Sequence, residues 1–322
     1  MLWPLAALAL LLALNLAFTP GFFHVSVKDG RLFGSLIDVL NRAAPVMLLS
    51  LGMTLVIATR GVDLSVGAVM AITGALAAWL ITTSHAGVPA VVCMALGLAL
   101  VCGLWNGVLV AFLDIQPIVA TLILMVAGRG IAQLITNGQI ITFENPGMAF
   151  IGGGFFLGLP FPVTIVAVTL LITALLTRRT ALGLFIESVG NNETASRYAG
   201  VNSAMVKVAV YAFCGLCAGL AGMIPMSDIK GADANNAGLY LELDAILSVV
   251  IGGTSLDGGR FQLVGSIIGA LIIQTLTTTI LSRGVQVEFT LVVKALVVLA
   301  VCLLQSEGFR QMAGRHFVRK AA

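Results

Sequence analysis

RRTALGLFIESVGNNETASRYAGVNS, residues 178–203, is a polar, charged, Asn/Gly-punctuated island between two long apolar runs, and its reading decides the fold. Arg178, Arg179, Arg197 and the nearby Lys207 place it on the cytoplasmic side by the positive-inside bias. A pore working alone needs only a tight turn between two crossings. A folded element protruding into the cytosol suits a membrane protein pushed by a soluble motor. Within the island, Gly190-Asn191-Asn192 reads as a turn. Asn192 is a good N-cap for a helix starting at Glu193, whose charge suits the positive end of the helix dipole, and Gly200 supplies a stop. The spacing predicts about two turns exposing Glu193, Ser196 and Arg197, with Ala195, Tyr198 and Ala199 on the less polar side. Such a surface orders at little entropic cost, so a docking helix is the reading preferred over a solvated connector.

The rest of the chain is nearly all apolar. Its 322 residues are 59% hydrophobic and 10% charged, with a mean hydropathy of +1.08. A soluble domain carries roughly 25% charged residues, so this is an all-α polytopic membrane protein. Apolar segments at 2–19, 44–59, 64–82, 88–112, 117–135, 161–177, 204–225, 244–258, 263–281 and 287–304 give ten candidate crossings of a core roughly 30 Å thick. The second and eighth are short and run into Gly-rich motifs, so either is a candidate broken or re-entrant helix. The first, Leu2–Phe18, lacks a preceding Lys or Arg and reads as an uncleaved crossing, not a signal peptide.

Six crossings before the island and four after it put both termini in the cytoplasm, in line with Arg310, Arg315, Arg319 and Lys320 in the tail. Segments 20–43, 136–160 and 226–243 then lie on the far side, the last with Asp228, Asp233 and Glu242 against Lys230. LFGSLIDVLNRA within 20–43 has the spacing of a surface-lying helix. One domain over 1–322 is the simplest count. A faint echo relates 56–76 to 250–271, Asp63 matching Asp257. The net charge of +3 gives no argument for nucleic acid as a partner.

No engine is found on this chain. No Lys is followed by Ser or Thr, so there is no GxxxxGK[ST], and neither HExxH nor GxSxG occurs. Cys93, Cys102, Cys214, Cys217 and Cys302 all lie in apolar runs; Cys214-Gly-Leu-Cys217 has redox or metal spacing, but also puts two small side chains on one helix face. The clearest intramembrane charges are Arg129 and Lys294, both basic, which disfavours an ion-coupled transporter relying on carboxylates. A membrane enzyme acting on lipid-linked substrates would need a nucleophile, metal or paired carboxylates, and no such cluster is evident. The energy source therefore lies on another chain, and no cofactor or metal is expected on this one.

GVDLSVG (61–67) is either a tight turn, with Asp63 or Ser65 capping a helix near Leu64, or a helix break lining a path. IGGTSLDGG (251–259), with Thr254 at its centre, is glycine-rich like a phosphate cradle but lacks the Lys such a cradle uses. Polar residues inside apolar segments (Asn106, Thr121, Gln133 and Gln274) are candidate path contacts, with Trp105 and Phe112 as stacking rings; the alternative is interhelical hydrogen bonding, commonly about 0.6 kcal/mol per pair.

GMTLVIATRGVDLSVGAVMA (52–71), SVGNNETASRYAGV (188–201) and LDAILSVVIGGTSLDGG (243–259), in this order, resemble the permeases of ribose/galactose-type ABC sugar importers. Residues 29–46, 116–136 and 228–246 most resemble the galactofuranose importer permeases; arabinose importers have similar ones. The resemblance implies a bacterial inner-membrane complex of a periplasmic sugar-binding protein, two permease subunits (homo- or heterodimer) and a cytoplasmic ATPase holding ATP and Mg, which engages Gly190–Gly200. The family often has Gly-Gly before its Ile/Val-Asp-Leu-Ser; here the pair before Val62-Asp63-Leu64-Ser65 is Arg60-Gly61.

Overall fold

The computed structural model describes residues 2–284 apart from positions 20, 29 and 85, together with 289, 292–296 and 299. In chain order the first half holds α1 (Leu2–Phe18), β1 (Ser26–Lys28), β2 (Arg31–Phe33), α2 (Ser35–Ala58), α3 (Val66–Thr83), α4 (Val88–Ala111), α5 (Pro117–Thr136), β3 (Ile141–Thr142), α6 (Pro146–Gly153), β4 (Phe155–Phe156) and β5 (Leu159–Pro160). The second half holds α7 (Phe161–Arg179), α8 (Leu182–Asn191), α9 (Glu193–Tyr198), α10 (Ser203–Asp228), β6 (Gly231–Ala232), α11 (Leu241–Ile251) and α12 (Leu263–Ser282).

Among the described residues, seven helices are long and apolar enough to cross a membrane: α2, α3, α4, α5, α7, α10 and α12. With the 17-residue α1, the short α11 and segment 287–304, which falls largely outside the described residues along with the basic tail, they account for the ten apolar segments. Prolines at the first turn open α4, α5, α6 and α7, where a missing N–H costs nothing.

One expectation is corrected. Residues 35–43 are not a separate surface-lying helix: they are the first turns of α2, continuous through Pro45, and everything from Val46 to Ala58 is buried. The bundle packs around that helix on all sides, which stabilises the backbone that Pro45 would otherwise weaken. Segment 226–243 folds back onto the bundle. After α10 it pairs β6 with β3 (Ile141↔Ala232, Thr142↔Gly231), then turns into the bundle until Gly238 abuts Gly67 at the start of α3. The eighth segment is short as suspected: α11 ends at Gly252 after 11 residues, about 16 Å of rise.

α10 is the axis. It lies against α2, α3 and α4 with backbones almost touching. A Cβ on Gly107 would come within 2.8 Å of Val208 Cα, one on Gly52 within 2.8 Å of Cys214 Cα, and one on Gly222 within 2.7 Å of Met70 Cα. Lipid supplies no hydrophobic drive between helices, so small residues that allow close packing are what hold such a bundle. Cys214 and Cys217 are free thiols buried against Gly52, which is the packing reading of the pair.

Several hydroxyls in the bundle bond within their own helix or to a neighbouring one. Thr169, Thr173 and Thr177 on α7 donate to carbonyls four residues back at 2.7–2.8 Å, and Thr54 of α2 donates to Ser266 of α12 at 2.7 Å. Asn15 is buried in α1 and donates to Thr279 of α12 at 2.8 Å, so α1 docks on α12. Lys294 does not stand alone: its Nζ lies 2.9 Å from Asp244 at the start of α11.

Gly107→Leu should overpack the α4–α10 contact by about 1–3 kcal/mol or more, whereas Gly97→Leu on the same helix meets open space. Thermal unfolding in detergent should show a clear drop for the first and none for the second; equal midpoints would refute the close-packing account.

Candidate functional site

Three segments that the sequence singled out separately meet at one end of the bundle. They are the end of α2 with residues 59–61, the end of α8, and the Gly-rich stretch 257–259. The Gly259 amide donates to Ala58 O at 2.9 Å, closing the C-terminus of α2. Gly190 lies so close that a Cβ would strike Ala58 O and come within 2.5 Å of Gly259 N. Arg60 spans the junction, its Nε donating to Asp257 O at 2.7 Å and its Nη2 to Asn191 O at 2.9 Å. Its backbone takes φ 62, a left-handed conformation costly for a non-glycine residue. The sequence marked Arg60 as a departure from Gly-Gly without revealing what it holds.

Gly190 and Asn191 do not form a turn. They are the last residues of α8, and only Asn192 breaks the helix, with φ −157. Its side chain accepts from the Ala195 amide at 2.9 Å, the expected N-cap. α9 is six residues long, shorter than two turns, and Gly200 follows at φ 86. Ser196 is buried, its hydroxyl turned back onto Asn192 O, while Tyr198 is 90% exposed. The exposed residues are therefore Thr194, Ala195, Arg197, Tyr198 and Ala199. The cause is the clip beneath α9: Glu193 pairs with Lys207 of α10 at 2.6 Å and with Arg197 at 2.9 Å, and Arg197 Nε donates to Ser203 at 2.7 Å. Partial burial pushes the Glu193 carboxyl up, but the hydrogen bond and charge of Lys207, the Ser203 hydroxyl and the Arg197 charge outweigh it and hold it below the ordinary glutamate value.

Just inside this junction lies a second polar cluster. Asp63 is 1% exposed and accepts from the Ser65 amide at 3.0 Å and the Ser65 hydroxyl at 2.6 Å. Asn106 of α4 donates to Ser65 Oγ at 2.8 Å, and its own buried Oδ1 has no partner. Thr121 of α5 and Tyr211 of α10 both reach toward Val62 O, each at 3.4 Å. α3 starts at Val66, two residues after Leu64. Ser65 is its N-cap by position but makes no side-chain cap; the turn is fixed by Asp63 instead. Tyr211, fully buried, is the member that the sequence reading missed, since one aromatic in an apolar run carries no signal.

The other candidates lie elsewhere. Thr254 is buried and accepts from the Gln262 amide at 3.1 Å, a contact that braces the loop between α11 and α12. Gln133 donates to Asn235 at 2.8 Å. Gln274 lines a cavity of about 560 Å³ at the far end of α2, with Asp38, Asn41 and Arg42. Trp105 and Phe112 are 54% and 59% exposed on the outer side of α4, away from the cluster.

Residues 35–302 match the family described as "Branched-chain amino acid transport system / permease component". The chain belongs to that permease family. Across 312 residues, 95% of this chain and 91% of the relative, the permease is 58% identical to the galactofuranose transporter permease protein YtfT of Escherichia coli (strain K12). It is 40% identical over 311 residues to the fructose import permease protein FruF of Bifidobacterium longum, covering 94% and 87% of the two chains. With the ribose import permease protein RbsC of Escherichia coli (strain K12) the identity is 38% over 308 residues, 94% and 92% of the chains. No solved structure matches the permease. These relatives are transport proteins, not enzymes, and the permease is a multi-pass membrane protein.

Because the folded-state pKa of Glu193 is depressed, its ion pairs contribute fully above the ordinary glutamate value near 4.5 and are lost as pH falls through the lower folded value. Hydrogen exchange in residues 194–199 should accelerate by up to about fivefold in Glu193→Gln at neutral pH, the scale of half-exposed ion pairs. Acidification through the lowered Glu193 value should reduce the protection of the same amides in the parent chain, measured against the intrinsic exchange rate at each pH. Unaltered exchange in the variant would mean that the clip does not order α9.

Proposed function

We propose that this chain is the membrane-spanning subunit of an ATP-driven ABC importer that moves a monosaccharide of the galactofuranose class, delivered by a periplasmic binding protein. The observation that carries the reading is the 58% identity to a galactofuranose permease over 95% of the chain. The family description names branched-chain amino acids, but fructose and ribose permeases also align over 94% of the chain, which favours a sugar. A second permease subunit completes the pathway, and ATP with Mg binds on a cytoplasmic ATPase, not on this chain.

In this reading α9 is the ATPase contact. Its cap and its ion pairs to α10 give a short stiff projection, and the exposed Tyr198 and Arg197 give it an aromatic and a cation to place in a groove. α8 carries the motion inward, because Gly190 and Asn191 touch Ala58, Arg60 and Gly259 directly. The complex sits in the bacterial inner membrane with α8–α9 and both termini in the cytoplasm. Arg178 and Arg179 at the end of α7 fit that orientation.

The test is uptake by the reconstituted complex with purified binding protein and radiolabelled galactofuranose, arabinose and ribose. ATP-dependent accumulation of galactofuranose is expected; accumulation of none of them refutes the reading. Ala195→Trp together with Arg197→Glu should abolish uptake and sugar-stimulated ATP hydrolysis while membrane insertion stays intact, and normal stimulated hydrolysis in that double variant would remove α9 from the interface. In a cysteine-free background, Thr194→Cys should label only from the cytoplasm and Leu157→Cys, on the exposed β4–β5 turn, only from the periplasm. Labelling of both from one side would overturn the orientation.

A further inference from the structure

Residues 231–242 place polar side chains where a membrane protein has no free use for them. Gly238 abuts Gly67 at the N-terminus of α3, and the far end of α3 is Thr83, roughly 24 Å away along the helix axis. The segment therefore reaches deep between the helices before α11 begins.

Its shape is fixed by several independent contacts. Asp233 accepts from the amides of Asn235 at 2.9 Å and Asn236 at 3.2 Å and from the Asn236 side chain at 2.7 Å. Arg129, from the middle of α5, donates through Nη1 to Ala234 O at 3.0 Å and Ala237 O at 2.6 Å. Tyr240 turns the chain into α11 with φ 63, another costly left-handed residue. Held this way, Asn235, Asn236 and Tyr240 are exposed, and Gln133 lies beside Asn235. Asp233 and Asn236 also reach a cavity of about 190 Å³ against α3 and α10.

Amides exposed at that depth are expensive against hydrocarbon. They are well used beside a water-filled path, where planar amides bond hydroxyls and a ring covers the apolar face of a sugar. We propose that the Arg129-stapled segment 231–242 is the sugar-contacting lining of the translocation path, with Asn235 bonding substrate hydroxyls and Tyr240 stacking on the ring. The proposal rests on the monosaccharide reading above and moves the substrate contacts away from Trp105, Phe112 and Gln274 to a re-entrant loop.

In reconstituted complexes, Asn235→Leu and Tyr240→Asn should each lower galactofuranose uptake by about tenfold and alter its preference over arabinose. Asn tolerates the left-handed backbone at 240, so that variant removes the ring and not the fold. Tyr240→Phe should keep uptake within about twofold, because the stacking surface remains. Asn235→Cys should react with a charged, membrane-impermeant methanethiosulfonate, and sugar-loaded binding protein under turnover should slow that reaction. Parent-like rates and preference in both Asn235→Leu and Tyr240→Asn would overturn the proposal. So would reaction of Asn235→Cys with a lipid-soluble maleimide but not with the charged reagent. The thiol reaction needs no transport: if the parent complex moves no sugar, the monosaccharide reading fails, while the accessibility of position 235 still decides whether this segment faces water.

Discussion

The centre of this bundle is set by backbone-to-backbone contact along α10. Glycines at 52, 103, 107 and 222 remove the side chains that would hold α2, α3 and α4 away from it. In water, burying large apolar side chains would supply the driving force; in lipid, close dispersion contact has to do so. The approach has a direct consequence for the inner cluster. Tyr211 can lie under α4 and aim its hydroxyl at Val62 only because Gly61, Gly103 and Gly107 leave space for it. Moving α10 outward by one methyl group would separate the Tyr211 hydroxyl from Val62 O.

A second constraint follows from the helix breaks. Residues 59–65, 229–240 and 252–262 leave carbonyls and amides without intrahelical partners inside a protein that lipid surrounds. Several groups at these breaks and at the adjoining helix ends are met by a neighbour. Ala58 O takes the Gly259 amide, Asn191 O and Asp257 O take Arg60, and Ala234 O and Ala237 O take Arg129. The two arginines thus act as backbone staples more than as ion-pair partners. A guanidinium suits this use because its donors fan out in a fixed plane and reach two carbonyls at once.

The sequence made the class and most of the bundle legible because apolar length is a strong signal and each long crossing carries it independently. It located α9 from the Asn192 cap and Gly200. It misplaced Ser196, because the face of a six-residue helix is decided by what lies beneath it, and Lys207 is fourteen residues away from Glu193. Residues 35–43 looked amphipathic because of Asp38, Asn41 and Arg42; no local pattern shows that a helix continues past Pro45 into a packed core. Asp63 and Ser65 stood out through the GVDLSVG motif, and Asn106 and Thr121 as polar residues in apolar runs; that they meet depends on tertiary distances. The polar criterion also admitted Gln133 and Gln274, and the stacking criterion Trp105 and Phe112, all of which lie apart from that cluster. Arg129 was visible as an intramembrane charge, but its partners are main-chain carbonyls, which every sequence has and none advertises.

The junction and the inner cluster are too closely joined to move independently. Arg60, whose side chain is tied to Asn191 and Asp257, is separated from Asp63 by two residues, and Asp63 fixes the first turn of α3 through Ser65. A shift of α8 must either break the Arg60 bonds or carry residues 60–65 with it. Carrying them changes the entry of α3, and the start of α3 at Gly67 is the surface on which Gly238 rests. The contact has no side chain on either partner to absorb a displacement, so a movement at the α8 end reaches the re-entrant segment through main chain alone.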